Sequence, residues 1–229
     1  MHIPDGFIDV PTAAAVGAVA VGAVAASIRG ARNELDERTA PLAGLVAAFV
    51  FAVQMLNFPV AAGTSGHLLG AALAAILVGP YTGVLCLTVV LVVQAIFFAD
   101  GGLTALGLNV FNIAGVGVIA AWFVFKGVRK VAPNSRTGVL VASAIAAFLS
   151  VPIAATAFTI EYAIGGTTNV DISTVFAAMV GTHALIGIGE AIITTLTVGA
   201  VLAARPDLVY GAKDLRPTLT VRAPDAITA

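Results

Sequence analysis

The chain opens on a mixed decapeptide, Met-His-Ile-Pro-Asp-Gly-Phe-Ile-Asp-Val, and then runs through long apolar stretches broken by short polar or glycine- and proline-bearing segments. Most stretches reach about 17 residues, enough to cross a hydrocarbon core of roughly 30 Å. The pattern predicts seven helices, over 12–28, 40–56, 67–78, 82–98, 106–125, 137–160 and 175–204. The third is short, and only Gly79-Pro80-Tyr81 divides it from the fourth; glycine and proline are the residues that end helices.

Charge tests the division. All eleven Lys and Arg residues fall after the first predicted helix (Arg29, Arg32, Arg38), after the fifth (Lys126, Arg129, Lys130, Arg136) and in the tail (Arg205, Lys213, Arg216, Arg222). Seven spans put those three segments on one side, which the positive-inside rule makes cytoplasmic, whereas six or eight break the pattern. The expectation is an all-α integral membrane bundle with its amino terminus outside, together with Asp5, Asp9, Asp100, Glu161 and Asp171, and its carboxyl terminus inside. Residues 1–204 read as one transmembrane domain, with 1–11 an outer-side loop, and 205–229 as a mostly irregular cytoplasmic tail. Composition agrees: 59% of the 229 residues are hydrophobic and 10% charged, against about 25% charged in a soluble domain. A net charge of −1 gives no basic surface for nucleic acid, and the single cysteine, Cys86, sits in an apolar run.

The decapeptide is where chemistry enters. It has no basic lead-in of the kind a cleaved signal carries, and His2 is too large to favour removal of Met1, so the Met1 amine is expected to remain and to face outside. A free amine, the next backbone nitrogen and the Nδ1 of a histidine in position two can chelate one metal in adjoining rings. The amide binds only when deprotonated, the arrangement is planar, and planar nitrogen sites favour Ni(II) or Cu(II). A fourth ligand is needed, and only His67 and His183 remain among the three histidines. His67 is preferred, because Ala61-Ala62-Gly63-Thr64-Ser65-Gly66 before it is a small-residue segment on the same outer side, and interrupted segments in membrane proteins point to binding sites.

Other intramembrane polar residues are functional hypotheses by default. His183, Gly187 and Glu190 share one helix face, and His183 with Glu190 reads as an interhelical hydrogen-bonding pair rather than as a ligand set. Gln54, Gln94, Asn109 and Asn112 either satisfy neighbouring backbone or hold the ligand segment. The first helix is almost wholly small or β-branched, which suits close packing within the bundle or against a partner equally. Two other classes are weighed: an ATP-independent transporter or channel, for which the helices carry little polar lining, and an intramembrane hydrolase, for which Ser143 or Ser150 with His183 is the sole available pairing.

Met1-His2-Ile3-Pro4-Asp5-Gly6-Phe7, Ser65-Gly66-His67-Leu68-Leu69-Gly70, Asp100-Gly101-Gly102-Leu103, Gly107-Leu108-Asn109 and His183-Ala184-Leu185-Ile186-Gly187 with Glu190-Ala191 together resemble the CbiM/NikM family. These are the substrate-capture (S) components of energy-coupling-factor transporters for cobalt and nickel. The resemblance runs from Met1 to about Ala204. It implies a metal held by the Met1 amine, the His2 amide nitrogen and imidazole, and His67; Ser65, Gln94, Asn109, Asn112, His183 and Glu190 are the candidates for polar support around it or elsewhere in the bundle interior. It implies a non-enzymatic subunit in a prokaryotic cell membrane. Its partners would be a transmembrane coupling subunit, two cytoplasmic ATP-binding-cassette subunits and a small accessory membrane protein; no phosphate-binding loop occurs in this chain. Cobalt, for cobalamin synthesis, is the expected cargo on overall likeness, and nickel the alternative on geometry.

Overall fold

The computed structural model describes residues 1–37, 39–60 and 64–215. Arg38, Arg216, Arg222 and Ala61 to Gly63, which entered the charge and loop readings, lie outside them. Five helices are long and apolar enough to cross a membrane: α1 (Val10–Ala31), α4 (Pro80–Phe97), α5 (Leu106–Val131), α6 (Arg136–Gly165) and α7 (Ile172–Ala204). Two predicted spans are shorter than expected. The second, α2, is the 15-residue helix Ala40–Gln54, about 22 Å long at 1.5 Å per residue. The third, α3, is Ala71–Val78, only eight residues, or about 12 Å.

The break at Gly79-Pro80 is real. Gly79 takes φ 99°, a left-handed value that ends α3, and Pro80 opens α4, where its missing N–H costs nothing. Every residue of α3 is buried. This half-helix is enclosed by its neighbours, so its shortness exposes no free backbone to lipid. The 67–70 segment, expected as the first turn of this helix, is instead non-helical, because Gly70 adopts φ 73° and starts α3 one residue later. An antiparallel hairpin precedes it, β1 (Phe58–Val60) pairing with β2 (Thr64–Gly66).

Within α5 the backbone widens to a π-helix over Val110–Gly117, immediately after Asn109, the kind of distortion that often marks a functional position. α1 packs closely at one point: a Cβ on Gly107 would lie 2.6 Å from the Gly17 Cα. Only Ala20, Ser27 and Ala31 of α1 are fully buried, while Ala13, Val16 and Val24 are partly buried against the core, so one stripe of α1 packs inward and the rest of its small-residue surface is exposed.

Two boundaries differ from expectation. α6 runs on to Gly165, so Glu161 is no outer-loop acid: a single carboxylate ended the apolar run on paper, but the helix carries it inward to a buried position. The tail is also more ordered than its prolines suggest. Pro206–Leu208 and Tyr210–Leu215 form short 3-10 turns, with Val209 and Ala212 buried, Tyr210 against Trp122 and Asp214 paired with Arg129. Residues 216–229 lie outside the described part.

Candidate metal-binding site

The amino-terminal decapeptide folds into the bundle. Phe7 N–H donates to the Pro4 carbonyl at 3.4 Å and Gly6 takes φ 74°, the turn that Pro4, Asp5 and Gly6 favour. Asp5 Oδ1 accepts from the Thr104 amide at 2.7 Å, and Thr167 Oγ1 donates to the Gly6 carbonyl at 2.6 Å. Phe7 packs on Phe158 and Tyr162, at 5.9 and 5.4 Å between ring centres. Asp9 then caps α1, its Oδ1 accepting from the Thr12 amide at 2.9 Å. The chain is thus anchored on both sides of the turn, and Met1, His2 and Ile3 are driven inward, only 1%, 4% and 0% exposed.

Asn109 holds the third residue. Its Oδ1 accepts from the Ile3 amide at 2.7 Å and its Nδ2 donates to the Ile3 carbonyl at 3.2 Å. Gly102 N–H also donates to that carbonyl at 2.9 Å. The backbone can approach so closely because Gly101 and Gly102 lack side chains: a Cβ on Gly102 would lie 2.4 Å from the Asp5 nitrogen.

His2 meets His67 face to face, 4.4 Å between ring centres and 24° between planes. His67 Nδ1 contacts the Leu68 carbonyl at 2.8 Å and its Nε2 has no partner. A carbonyl can only accept, so the proton sits on Nδ1 and Nε2 carries a free lone pair. His2 Nδ1 stands 2.9 Å from Asp100 Oδ1, close in distance but without the alignment of a hydrogen bond, and His2 Nε2 is also unpartnered. Its amide donates to Ser65 Oγ at 3.3 Å. Gln94 lies beside the same imidazole, fully buried, with neither side-chain polar atom in a well-formed hydrogen bond.

The electrostatics shift these nitrogens toward their unprotonated forms. Burial pushes the Met1 amine well below its usual 8.0, although Asp100 partly opposes this. Burial likewise lowers His2, with the Asp100 contact opposing, and lowers His67 well below its usual range, with the neighbouring amine acting in the same direction. Burial would raise Asp100, but its contacts with His2 and Asn57 outweigh that and hold the carboxylate ionised. Among the described residues no three His, Cys, Asp or Glu side chains gather as a ligand cluster; what gathers is an amine, a backbone amide and two imidazoles. A cleft of about 470 Å³, lined by His2, Asp5, Asn57, Ser65, Asp100 and neighbouring backbone, opens next to them.

The His67 segment is pinned from two helices. Glu190 on α7 accepts from the Leu69 and Gly70 amides at 2.9 and 2.7 Å, and Gln54 at the end of α2 donates to the Leu69 carbonyl at 2.7 Å. Glu190 therefore bonds between elements as expected, but to backbone and not in a pair with His183, whose Nδ1 contacts the Met179 carbonyl of its own helix at 2.7 Å. Asn112 does not reach the amino terminus; its Nδ2 donates to Glu161 Oε2 at 2.6 Å. Ser143 and Ser150 donate to the Val139 and Ala147 carbonyls of α6, so neither hydroxyl proton is directed at His183. Sequence reasoning passed over Asp100 and Asn57. Asp100 stood in a quoted motif, and the Gly-Gly after it was the available signal that backbone approaches closely there.

A bundle of apolar helices that encloses a nitrogen-rich chamber at its amino-terminal segment is a multi-pass membrane protein built around a buried polar site. Residues 2–208 match the CbiM family model, described as the cobalt uptake substrate-specific transmembrane region, and the chain belongs to that family. It is accordingly a membrane protein of cobalt and nickel transport. A protein of Haloquadratum walsbyi named for metal transport is 40% identical over 210 residues, covering 92% of this chain and 94% of its own. The cobalt transport protein CbiM of Sorangium cellulosum is 32% identical, covering 91% and 94%. The fused nickel transport protein NikMN of Rhodobacter capsulatus is 39% identical over 72% of this chain, which spans 47% of that longer protein. A crystal structure of a transition metal transporter superposes with a TM-score of 0.83 at 28% identity, covering 95% of this chain and all of the other.

Proposed function

We propose that this chain is the substrate-capture component of an ATP-driven energy-coupling-factor importer, and that it binds divalent cobalt at Met1, His2 and His67. The observation that carries the reading is the burial of the Met1 residue, its amine pushed well below the usual 8.0 by that burial, with two stacked imidazoles whose Nε2 atoms are unpartnered among the described residues. The ligands would be the Met1 amine, the His2 amide nitrogen and imidazole, and His67 Nε2. Chelation through His2 Nδ1 requires the ring to leave Asp100, and loss of the amide proton frees Ser65 Oγ from its contact. Asn109, Gly102 and the Asp5–Thr104 contact support the segment that carries these nitrogens.

Energy comes from partners in this reading: a transmembrane coupling subunit, two cytoplasmic ATPases and a small accessory membrane protein. The bundle is read as seven membrane-embedded helices, α3 enclosed among the others, with the amino terminus outside and the tail inside. Cobalt is favoured by the relatives named for cobalt transport over most of their length. Nickel is the alternative, favoured by the planar preference of an amine, amide and imidazole set and by the nickel transport relatives.

One added residue before Met1, confirmed by intact mass, displaces the amine and leaves every native side chain in place. Purified protein so extended should lose nearly all bound cobalt or nickel; unchanged metal content would sink the ligand assignment. Competition between the two ions for uptake by cells carrying the complete transporter distinguishes the cargo.

A further inference from the structure

The three histidines of this chain share one feature. His2 Nδ1 faces Asp100 at 2.9 Å, His67 Nδ1 the Leu68 carbonyl at 2.8 Å and His183 Nδ1 the Met179 carbonyl at 2.7 Å. Among the described residues, Nε2 is in each case buried without a partner. Two of the three belong to the site proposed above, whereas His183 has no task there.

Its position is suggestive of one. The 67–70 segment lies against α7: Glu190 binds the Leu69 and Gly70 amides, Leu68 approaches Gly189, and His67 shares a cleft wall with Thr182 and Ile186. His183 is one helical turn from Gly187 and on the face that carries Glu190. It is fully buried, on the helix that binds the two residues following Leu68. A buried lone pair with no donor costs stability, and an ionisable side chain inside a membrane helix calls for a function. Since no three such side chains form one cluster among the described residues, His183 would serve after the amino-terminal ligands and not with them.

We propose that His183 Nε2 is an inner ligand for the transported divalent cation. His67 Nε2 keeps its bond while the amine and the His2 nitrogens leave, the His2 amide regaining its proton from water, and the His183 lone pair takes a vacated position. The ion moves by ligand exchange toward α7 with no change of oxidation state. This rests on the capture reading and names the next ligand along the path.

Two substitutions separate a ligand from a structural hydrogen bond. Asn places a donor where Nδ1 stands, toward the Met179 carbonyl, and removes Nε2; Gln places a polar atom near Nε2 and gives up the Nδ1 bond. Cobalt uptake by the complete transporter, normalised to the protein present in the membrane, is expected to fall at least about tenfold in His183→Asn and less in His183→Gln. Uptake in His183→Asn equal to or above that in His183→Gln overturns the proposal. The one-residue extension before Met1 tests capture independently: retained metal there discards the capture reading, whereas a failed rank order discards only His183.

Discussion

Asn109 takes hold of Ile3 by both of that residue's backbone polar groups, accepting from its N–H at 2.7 Å and donating to its carbonyl at 3.2 Å. The amide lies at the start of the π-helical stretch of α5 and is buried with its partner. Asn109→Ala leaves the Ile3 N–H buried without an acceptor, which costs about 1–3 kcal/mol. The expected outcome is a lowered thermal midpoint together with roughly tenfold weaker metal binding, read by differential scanning and by titration of the purified protein. Full affinity in this variant would mean that the amino-terminal segment positions itself without the clamp.

Glu190 holds two amides with two oxygens, and a glutamine offers one oxygen and one N–H group that cannot accept. Glu190→Gln should therefore destabilise by about 1–3 kcal/mol and weaken metal binding without eliminating it, because the altered side chain touches residues next to His67 and not the ligand. Complete loss of bound metal from a folded variant would contradict this.

Gly70 combines a φ of 73° with a neighbour that fills the space a side chain would need: a Cβ there would lie 2.6 Å from Val50 Cγ2. Gly70→Ala meets both obstacles. Val50→Ala in the same chain removes only the second, so the double variant should recover part of the stability and not all of it, the backbone strain of roughly 1–2 kcal/mol remaining. Complete recovery would show that the left-handed conformation carries no cost.

The metal-free protein should lose stability as the pH falls. The Met1 amine, His2 and His67 all have folded-state values below their ordinary 8.0 and 6.5. An unfolded chain therefore takes up protons that the folded chain refuses, first below about pH 8 and then below about 6.5. Stability is greatest above this window and declines through it on acidification. Asp100, held below its ordinary 3.8, contributes above that value and loses its contribution only in stronger acid. Thermal midpoints between pH 8.5 and 5, chosen to bracket those ordinary values, measure the slope; His67→Ala should flatten its lower part. Metal affinity should fall in the same direction, since protons compete for the same nitrogens.

The sequence made His2 and His67 legible because both are rare polar residues in apolar surroundings and share an inferred side of the membrane. Their stacking at 4.4 Å follows from that common location once the decapeptide turns at Pro4 to Gly6. Asp100 was harder to read, since the Gly-Gly after it signals a close backbone approach but does not say that residue 2 is what the end of α4 will meet. Glu161 misled because hydropathy ends a span at a charge, whereas a helix can continue wherever a partner such as Asn112 meets the carboxylate. The 67–70 segment misled for the opposite reason: Leu68 and Leu69 prolong the apolar run, and only the left-handed Gly70 and the acceptors on neighbouring helices decide that it is not helical. Glu190 and Gln54 were visible as buried polar residues, but their targets are backbone groups, which leave no mark in side-chain pattern.

The stretch from His67 to Gly70 is bonded to α2 through Gln54 and to α7 through Glu190, and it runs directly into the enclosed α3. It is built as a yoke and not as a flap, since the residues that follow His67 are bonded to two helices and begin a third. One short non-helical stretch thus ties α2, α3 and α7 to the residue that faces His2.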